Sequence, residues 1–166
     1  MVTPSIHTGK IFIDLDGVMA DFWTRSKELT GIAIPDNDAM WHILNKVPHY
    51  FDTLDIISGA KDLFDQLYQK YGPRCEILTA LPKPKRNMPT SHDDKIAWVR
   101  RTLSKTITIN IVVQTAHKQY YCTNTNDILI DDSPSNIAEW HLAGGIGILC
   151  KNLTQVMAEL RERGIL

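Results

Sequence analysis

Short apolar runs alternate with amphipathic stretches along most of the chain. Ile11-Phe12-Ile13 ends at Asp14, and Cys75 to Leu78 leads into Thr79. Ile107 to Val113 is a β-branched run, Asp127 to Ile130 leads into Asp131-Asp132, and Ile146 to Cys150 follows Gly144-Gly145. Uninterrupted apolar runs of this length read as strands buried on both faces. Helical spacing fills the gaps. Gly59 to Tyr71 carries Leu63, Phe64, Leu67, Tyr68 and Tyr71 on one face and stops at Gly72-Pro73. Asp93 to Leu103, Ser135 to Leu142 and Asn152 to Arg163 follow the same period, the second after Pro134 and the third closed by Gly164. Strands and helices in alternation predict an α/β fold, a parallel sheet wrapped by helices.

One region breaks the alternation. The chain between Asp16 and Thr79 is too long for one crossover helix. Val18 to Leu29 and Asp38 to Asn45 read as two helices, punctuated by Pro35 and Pro48. This predicts a small helical insertion over the carboxyl edge of the sheet. Pro82 to Asp94 reads as a polar loop carrying Lys83, Lys85 and Arg86.

Composition narrows the class. Of 166 residues, 43% are apolar and 22% charged, which suits an ordinary globular domain. Eighteen basic residues against 19 acidic ones give a formal charge of -1, so no global excess exists to hold a duplex by its phosphates. Nucleic acid is therefore not an expected partner. Cys75, Cys122 and Cys150 are far apart and odd in number, which argues against a disulfide framework or a zinc motif. No run approaches the ~18 apolar residues of a membrane span, and Met1 to Lys10 lacks the apolar stretch of a signal peptide. A cytoplasmic protein is expected.

The chemistry sits at the strand ends. Asp14 and Asp16 lie two apart where a buried strand stops, and ligands of open parallel sheets bind beyond that edge. An Asp-Gly hairpin turn would need a second strand at once, whereas Val18 to Trp23 reads as helix. Asp131-Asp132 repeat the pattern, although Asp132 or Ser133 would also serve as the cap of the helix at Pro134. Two strands each ending in paired acids make an oxygen-rich cage suited to Mg²⁺. Thr79 ends a third strand and offers a hydroxyl for a phosphate oxygen. Lys118 and Lys95 are the candidates for balancing phosphate charge. Phe22, Trp23, Trp41, Tyr50 and Phe51 fall in or beside the insertion and read first as its own small core. Phe22 and Trp41 are the candidates for substrate contact.

Asp14-Leu-Asp16-Gly-Val, then Thr79, a lysine and Asp131-Asp132, together resemble the haloacid dehalogenase (HAD) phosphatase superfamily over nearly the whole chain. Within it, Asp16-Gly-Val-Met-Ala-Asp-Phe22, Tyr50-Phe51, Ser58-Gly-Ala60, Thr79-Ala-Leu-Pro-Lys83 and Lys95-Ile-Ala-Trp98-Val resemble the 5′(3′)-deoxyribonucleotidase branch. Ala80 stands where that branch often has serine, and Gln114-Thr-Ala-His-Lys118 matches its lysine motif only loosely. The resemblance implies a three-layer Rossmann-like core with five parallel strands in the order 5-4-1-2-3. It also implies a catalytic core of residues 1–17 and 78–166, with residues 18–77 as helical cap and return helix.

The same resemblance implies the roles. Asp14 is the nucleophile that forms an aspartyl-phosphate, and Asp16 is the acid and base. Thr79, Ala80 and Lys118 bind the phosphate, with Lys95 as the second candidate for the lysine. Asp14, the backbone carbonyl of Asp16, and Asp131 hold Mg²⁺, with Asp132 beside them. Lys83 of the basic loop joins Phe22 and Trp41, on placement rather than resemblance, as a candidate for contact with the rest of the substrate. The expected activity is Mg²⁺-dependent hydrolysis of nucleoside 5′-monophosphates, deoxyribonucleotides in particular, with a homodimer as the family's plausible assembly. Two alternatives stay open. One is a phosphatase of another small phosphoester or of nucleic-acid 3′-phosphate ends, which the basic loop favours. The other is a catalytically silent nucleotide-binding domain, which would bind without turnover.

Overall fold

The computed structural model describes residues 7–34 and 37–166. Pro35 and residues 1–6 lie outside the described residues. Five strands, β1 (Ile11–Ile13), β2 (Cys75–Ala80), β3 (Thr108–Val112), β4 (Ile128–Asp131) and β5 (Ile146–Leu149), form one sheet in the order β3-β2-β1-β4-β5. Every pairing is parallel. This is the expected 5-4-1-2-3 order read from the other edge. Among the described residues six α-helices accompany it: α1 (Phe22–Thr30), α2 (Asp38–Leu44), α3 (Ala60–Tyr71), α4 (Ser91–Thr102), α5 (Pro134–Leu142) and α6 (Leu153–Glu162).

Successive strand residues face opposite ways, and the two faces have separate cores. Ile11, Ile13, Ile77, Ile128, Ile130 and Ile148 point to one side, where Leu63, Phe64 and Leu67 of α3, Trp98 and Val99 of α4, and Val156 and Leu160 of α6 cover them. Phe12, Leu78, Val112 and Leu129 point to the other, against Ile137 and Trp140 of α5. Phe22, Met40, Leu44, Tyr50 and Phe51 of the insertion belong to the first of these clusters. Of the aromatic side chains read as an insertion core, Phe22, Tyr50 and Phe51 are thus continuous with the core under the sheet and Trp41 packs against it, whereas Trp23 is 41% exposed and lies outside it.

Two expectations change. The stretch from Val18 is not helical from its start: α1 begins at Phe22, with Asp21 as its cap, accepting from the Thr24 N–H at 3.2 Å. Residues before it make a tight turn. The Gly17 N–H bonds to the Ala20 carbonyl at 2.9 Å, and Ala20 bridges to Ile56 on the returning chain. Val18, Met19 and Ala20 are apolar because this stem is buried, which mimicked helical periodicity. The second change concerns β3. It is an edge strand with partner β2 alone, its Thr108 is exposed, and only Val112 is fully buried. Its β-branched residues suit a pleated edge as well as a covered centre.

Candidate active site

The register places the acids. Ile13 pairs with Ile77 on one side and Ile130 on the other, so the next row holds Asp14 and Asp131 on neighbouring strands. The Asp14 N–H donates to the Ile130 carbonyl at 3.0 Å, which fixes its backbone to the sheet while the side chain faces beyond the strand end. Thr79 lies on β2, one residue before its end, and pairs with Ile111.

Two buried lysines divide the acids between them. Lys118, on a 3-10 segment at Thr115–Tyr121, puts its Nζ 2.9 Å from Asp14 Oδ1 and 2.7 Å from Asp131 Oδ2. Lys95, on the first turns of α4, donates from Nζ to Asp16 Oδ2 and to Thr79 Oγ1 at 3.2 Å. Its ammonium also stands 4.4 Å from the centre of the Phe51 ring. Both candidate lysines therefore reach the strand-end acids, by different routes. Asp131 has no exposure at all, and it is held from outside the cluster by the Ser133 N–H at 2.9 Å and by Asn136 Nδ2 at 3.1 and 3.0 Å. Asp132 accepts from the Trp23 indole N–H at 2.8 Å.

Asp14, Asp131 and Asp132 each offer a ligand atom, and these atoms lie within 4.8 Å of one another. Ligands on opposite sides of an octahedral Mg²⁺ at ~2.1 Å would be ~4.2 Å apart, so only small shifts separate this set from a cation cage. Charge agrees with that geometry. Four carboxylates (Asp14, Asp16, Asp131, Asp132) face two ammonium groups (Lys95, Lys118), a formal excess of 4 − 2 = 2 negative charges. Burial pushes the Asp14 carboxyl up to about 7; Lys118 pulls it down, while Asp131, Asp132 and Asp16 push it further up. Asp132 is pushed up to about 6, again by burial first, against the hydrogen bond from Trp23. For Lys118 burial works against the charge, but the carboxylates of Asp14 and Asp131 outweigh it and hold its pKa above the ordinary lysine value.

The insertion supplies the opposite wall. A cleft of about 220 Å³ opens between Asp14, Asp16, Thr79, Ala80 and Lys118 on one side and Phe22, Trp23, Trp41 and Phe51 on the other, with Lys83 at its margin. Phe22 is 3% exposed and meets Trp23, Trp41, Tyr50 and Phe51 at 5.0 to 6.0 Å between ring centres. It is as much core as wall. Trp41 is only partly buried. Of the basic loop, Lys85 and Arg86 both donate to Asp38 of α2, and the Arg86 guanidinium lies 5.5 Å from the Trp41 ring centre. These two cations pin the loop to the insertion.

Three contacts escaped the sequence reading. Trp23 and Asn136 each hold a strand-end acid, and Phe51 carries Lys95 on its ring. Asn136 had a signal: it falls in the first turn of the helix after Asp131-Asp132, where a side chain can reach back to the strand end. For Trp23 and Phe51 nothing local marked the contact.

The family model described as 5′ nucleotidase, deoxy (pyrimidine), cytosolic type C protein matches residues 27–163. That span takes in Thr79, Lys95, Lys118, Asp131 and Asp132; Asp14 and Asp16 precede it. Among solved structures, a hydrolase from Streptococcus pneumoniae TIGR4 superposes with a TM-score of 0.53 at 12% identity, covering 94% of this chain and 100% of the other. A hydrolase from Pseudomonas syringae gives 0.52 at 11% identity, covering 91% and 90%. At such identities the likeness is one of fold. No curated protein sequence matches the chain.

Proposed function

The chain belongs to the deoxy (pyrimidine) 5′-nucleotidase family of cytosolic type C, phosphoric monoester hydrolases of the HAD superfamily, and from that premise we propose a Mg²⁺-dependent phosphatase of nucleoside 5′-monophosphates, deoxyribonucleotides in particular, acting through an aspartyl-phosphate on Asp14. The observation that carries the reading is the position of Asp14: at a strand end, 2.9 Å from the Lys118 ammonium, on a cleft whose far wall is aromatic.

The chemistry follows from the residues. The Asp14 carboxylate attacks phosphorus, and the bond to the sugar oxygen breaks. Asp16 gives that oxygen a proton as it leaves; it then takes a proton from the water that attacks the phosphoryl group on Asp14. Lys118, the Thr79 hydroxyl and the backbone at Ala80 face the equatorial phosphate oxygens, where transfer needs positive potential. Lys95 lies between Asp16 and Thr79, which supports a place beside both the proton donor and the phosphate. A Mg²⁺ held by Asp14, Asp131 and the Asp16 carbonyl, with Asp132 next to it, would supply charge that lets a carboxylate approach a phosphate dianion. The donors are all oxygen, as that cation requires.

In this reading, residues 1–17 and 78–166 carry the phosphate chemistry. Residues 18–77, through Phe22 and Trp41, hold the leaving nucleoside, with Lys83 at the mouth. The family description supports a cytosolic setting.

The test is phosphate release from 3′ and 5′ nucleoside monophosphates, ribose and deoxyribose, with Mg²⁺ or EDTA. Release from 5′-deoxyribonucleotides that EDTA and Asp14→Asn both abolish is expected. A folded protein that releases phosphate from no nucleotide would overturn the reading.

A further inference from the structure

The insertion touches the acid cluster through one side chain of α1. Trp23 is the second residue of that helix, and its indole N–H donates to Asp132 Oδ2 at 2.8 Å across 109 positions of sequence. Its ring is set by the edge of Phe22, 5.0 Å away between centres, and Phe22 is itself packed in the core.

A third residue shapes the same contact. A Cβ at Gly17 would stand 2.1 Å from Asp132 Oδ2 and 3.0 Å from Trp23 Nε1. The hydrogen bond therefore occupies space that only a bare main chain leaves. Asp132 in turn offers a ligand atom within 4.8 Å of those of Asp14 and Asp131. Left to itself, a half-buried carboxylate beside two others would turn away from them, because like charges repel. A donor fixed on one of its oxygens selects the rotamer in advance, as hydrogen-bond partners of metal ligands commonly do.

We propose that Trp23 is a positioning residue for the cation site: its indole N–H holds Asp132 in the orientation that serves a divalent cation, and so couples cation affinity to the seating of α1. The proposal rests on the Mg²⁺ reading above. It concerns a residue that touches neither the phosphate nor the attacking oxygen.

The test is calorimetric titration of Mn²⁺ into wild type, Trp23→Phe, Asp132→Asn and the double variant, with Tm measured in EDTA. Phenylalanine keeps an aromatic ring against Phe22 and removes only the donor-bearing half of the indole. Trp23→Phe is expected to weaken Mn²⁺ binding about 10-fold. In the Asp132→Asn background the same change is expected to have no further effect. Wild-type affinity in Trp23→Phe would overturn the proposal. So would an equal loss in the Asp132→Asn background, which is also what general damage to the fold, read as a lower Tm, would give. A wild-type protein that binds no Mn²⁺ would bring down the Mg²⁺ reading and this proposal together, whereas wild-type binding with an unchanged Trp23→Phe affinity would bring down the proposal alone.

Discussion

Lys95 and Asp16, 79 positions apart in sequence, form an ion pair at the edge of the cleft, and the lysine is 1% exposed. The lysine chain is buried against Phe51, so the pair draws its ammonium onto the residue assigned as acid and base. Lys95→Met keeps an unbranched apolar chain in that slot and removes the charge. Asp16 remains partly open to water, so the fold is expected to survive. We expect kcat to fall about 10²-fold, the scale of a disturbed proton-transfer group. Steady-state phosphate release, with circular dichroism for the fold, measures it.

Metal-free protein should lose stability as pH rises. Asp14 is pushed up to about 7 and Asp132 to about 6, burial being the main cause in both. Between about pH 4 and 7 the folded state therefore keeps protons that the unfolded chain has released. Fewer protons on the unfolded state means stability falls with rising pH across that window. In EDTA, Tm should drop from pH 5 to pH 8, and Asp14→Asn should flatten the slope. Mg²⁺ should raise Tm more at pH 8 than at pH 5, since the ligands must be ionised. A Tm in EDTA that rises with pH would contradict this assignment.

Phe22 and Trp41 should separate on substitution. Phe22→Ala removes a ring packed against four others and is expected to cost about 3–5 kcal/mol of stability. Trp41 is partly buried and lines the cleft, so Trp41→Ala should cost less and act chiefly on KM. Urea denaturation beside steady-state kinetics distinguishes the two.

Gly17→Ala should damage both stability and turnover. Gly17 has φ +78°, a region that costs an L-residue roughly 1–2 kcal/mol. Its new methyl would also enter the space of the Asp132 carboxylate. Thermal unfolding and phosphate release at several Mg²⁺ concentrations should show a lower Tm and a higher Mg²⁺ requirement.

Sequence alone reached the sheet because four of its strands are covered by helices or by neighbouring strands on both sides, and burial leaves an unbroken apolar run. It reached Asp14, Asp131 and Thr79 because strand ends are local events. It misjudged the chain after Asp16, where Val18 and Met19 are buried in a stem rather than on a helix face. It placed β3 at the sheet edge through the family resemblance but read its run as buried on both faces, because β-branched residues serve an edge equally well. The partners of the acids were the least visible part. Lys95 to Asp16 and Trp23 to Asp132 are contacts between elements that only the folded chain brings together, and their residue types have commoner uses on a solvated surface or in a core.

Because Phe22, Met40, Tyr50 and Phe51 share one apolar cluster with Ile13, Ile77 and Val99, the insertion has no separate interior on which to pivot. Swinging it away as a rigid flap would expose several rings at once, at ~1.5–3 kcal/mol for each large side chain uncovered. A substrate must then enter and a product leave by the standing mouth of the cleft, past the partly buried Trp41, while Trp23 stays tied to Asp132. The same continuity makes thermal melting of insertion and sheet a single cooperative event.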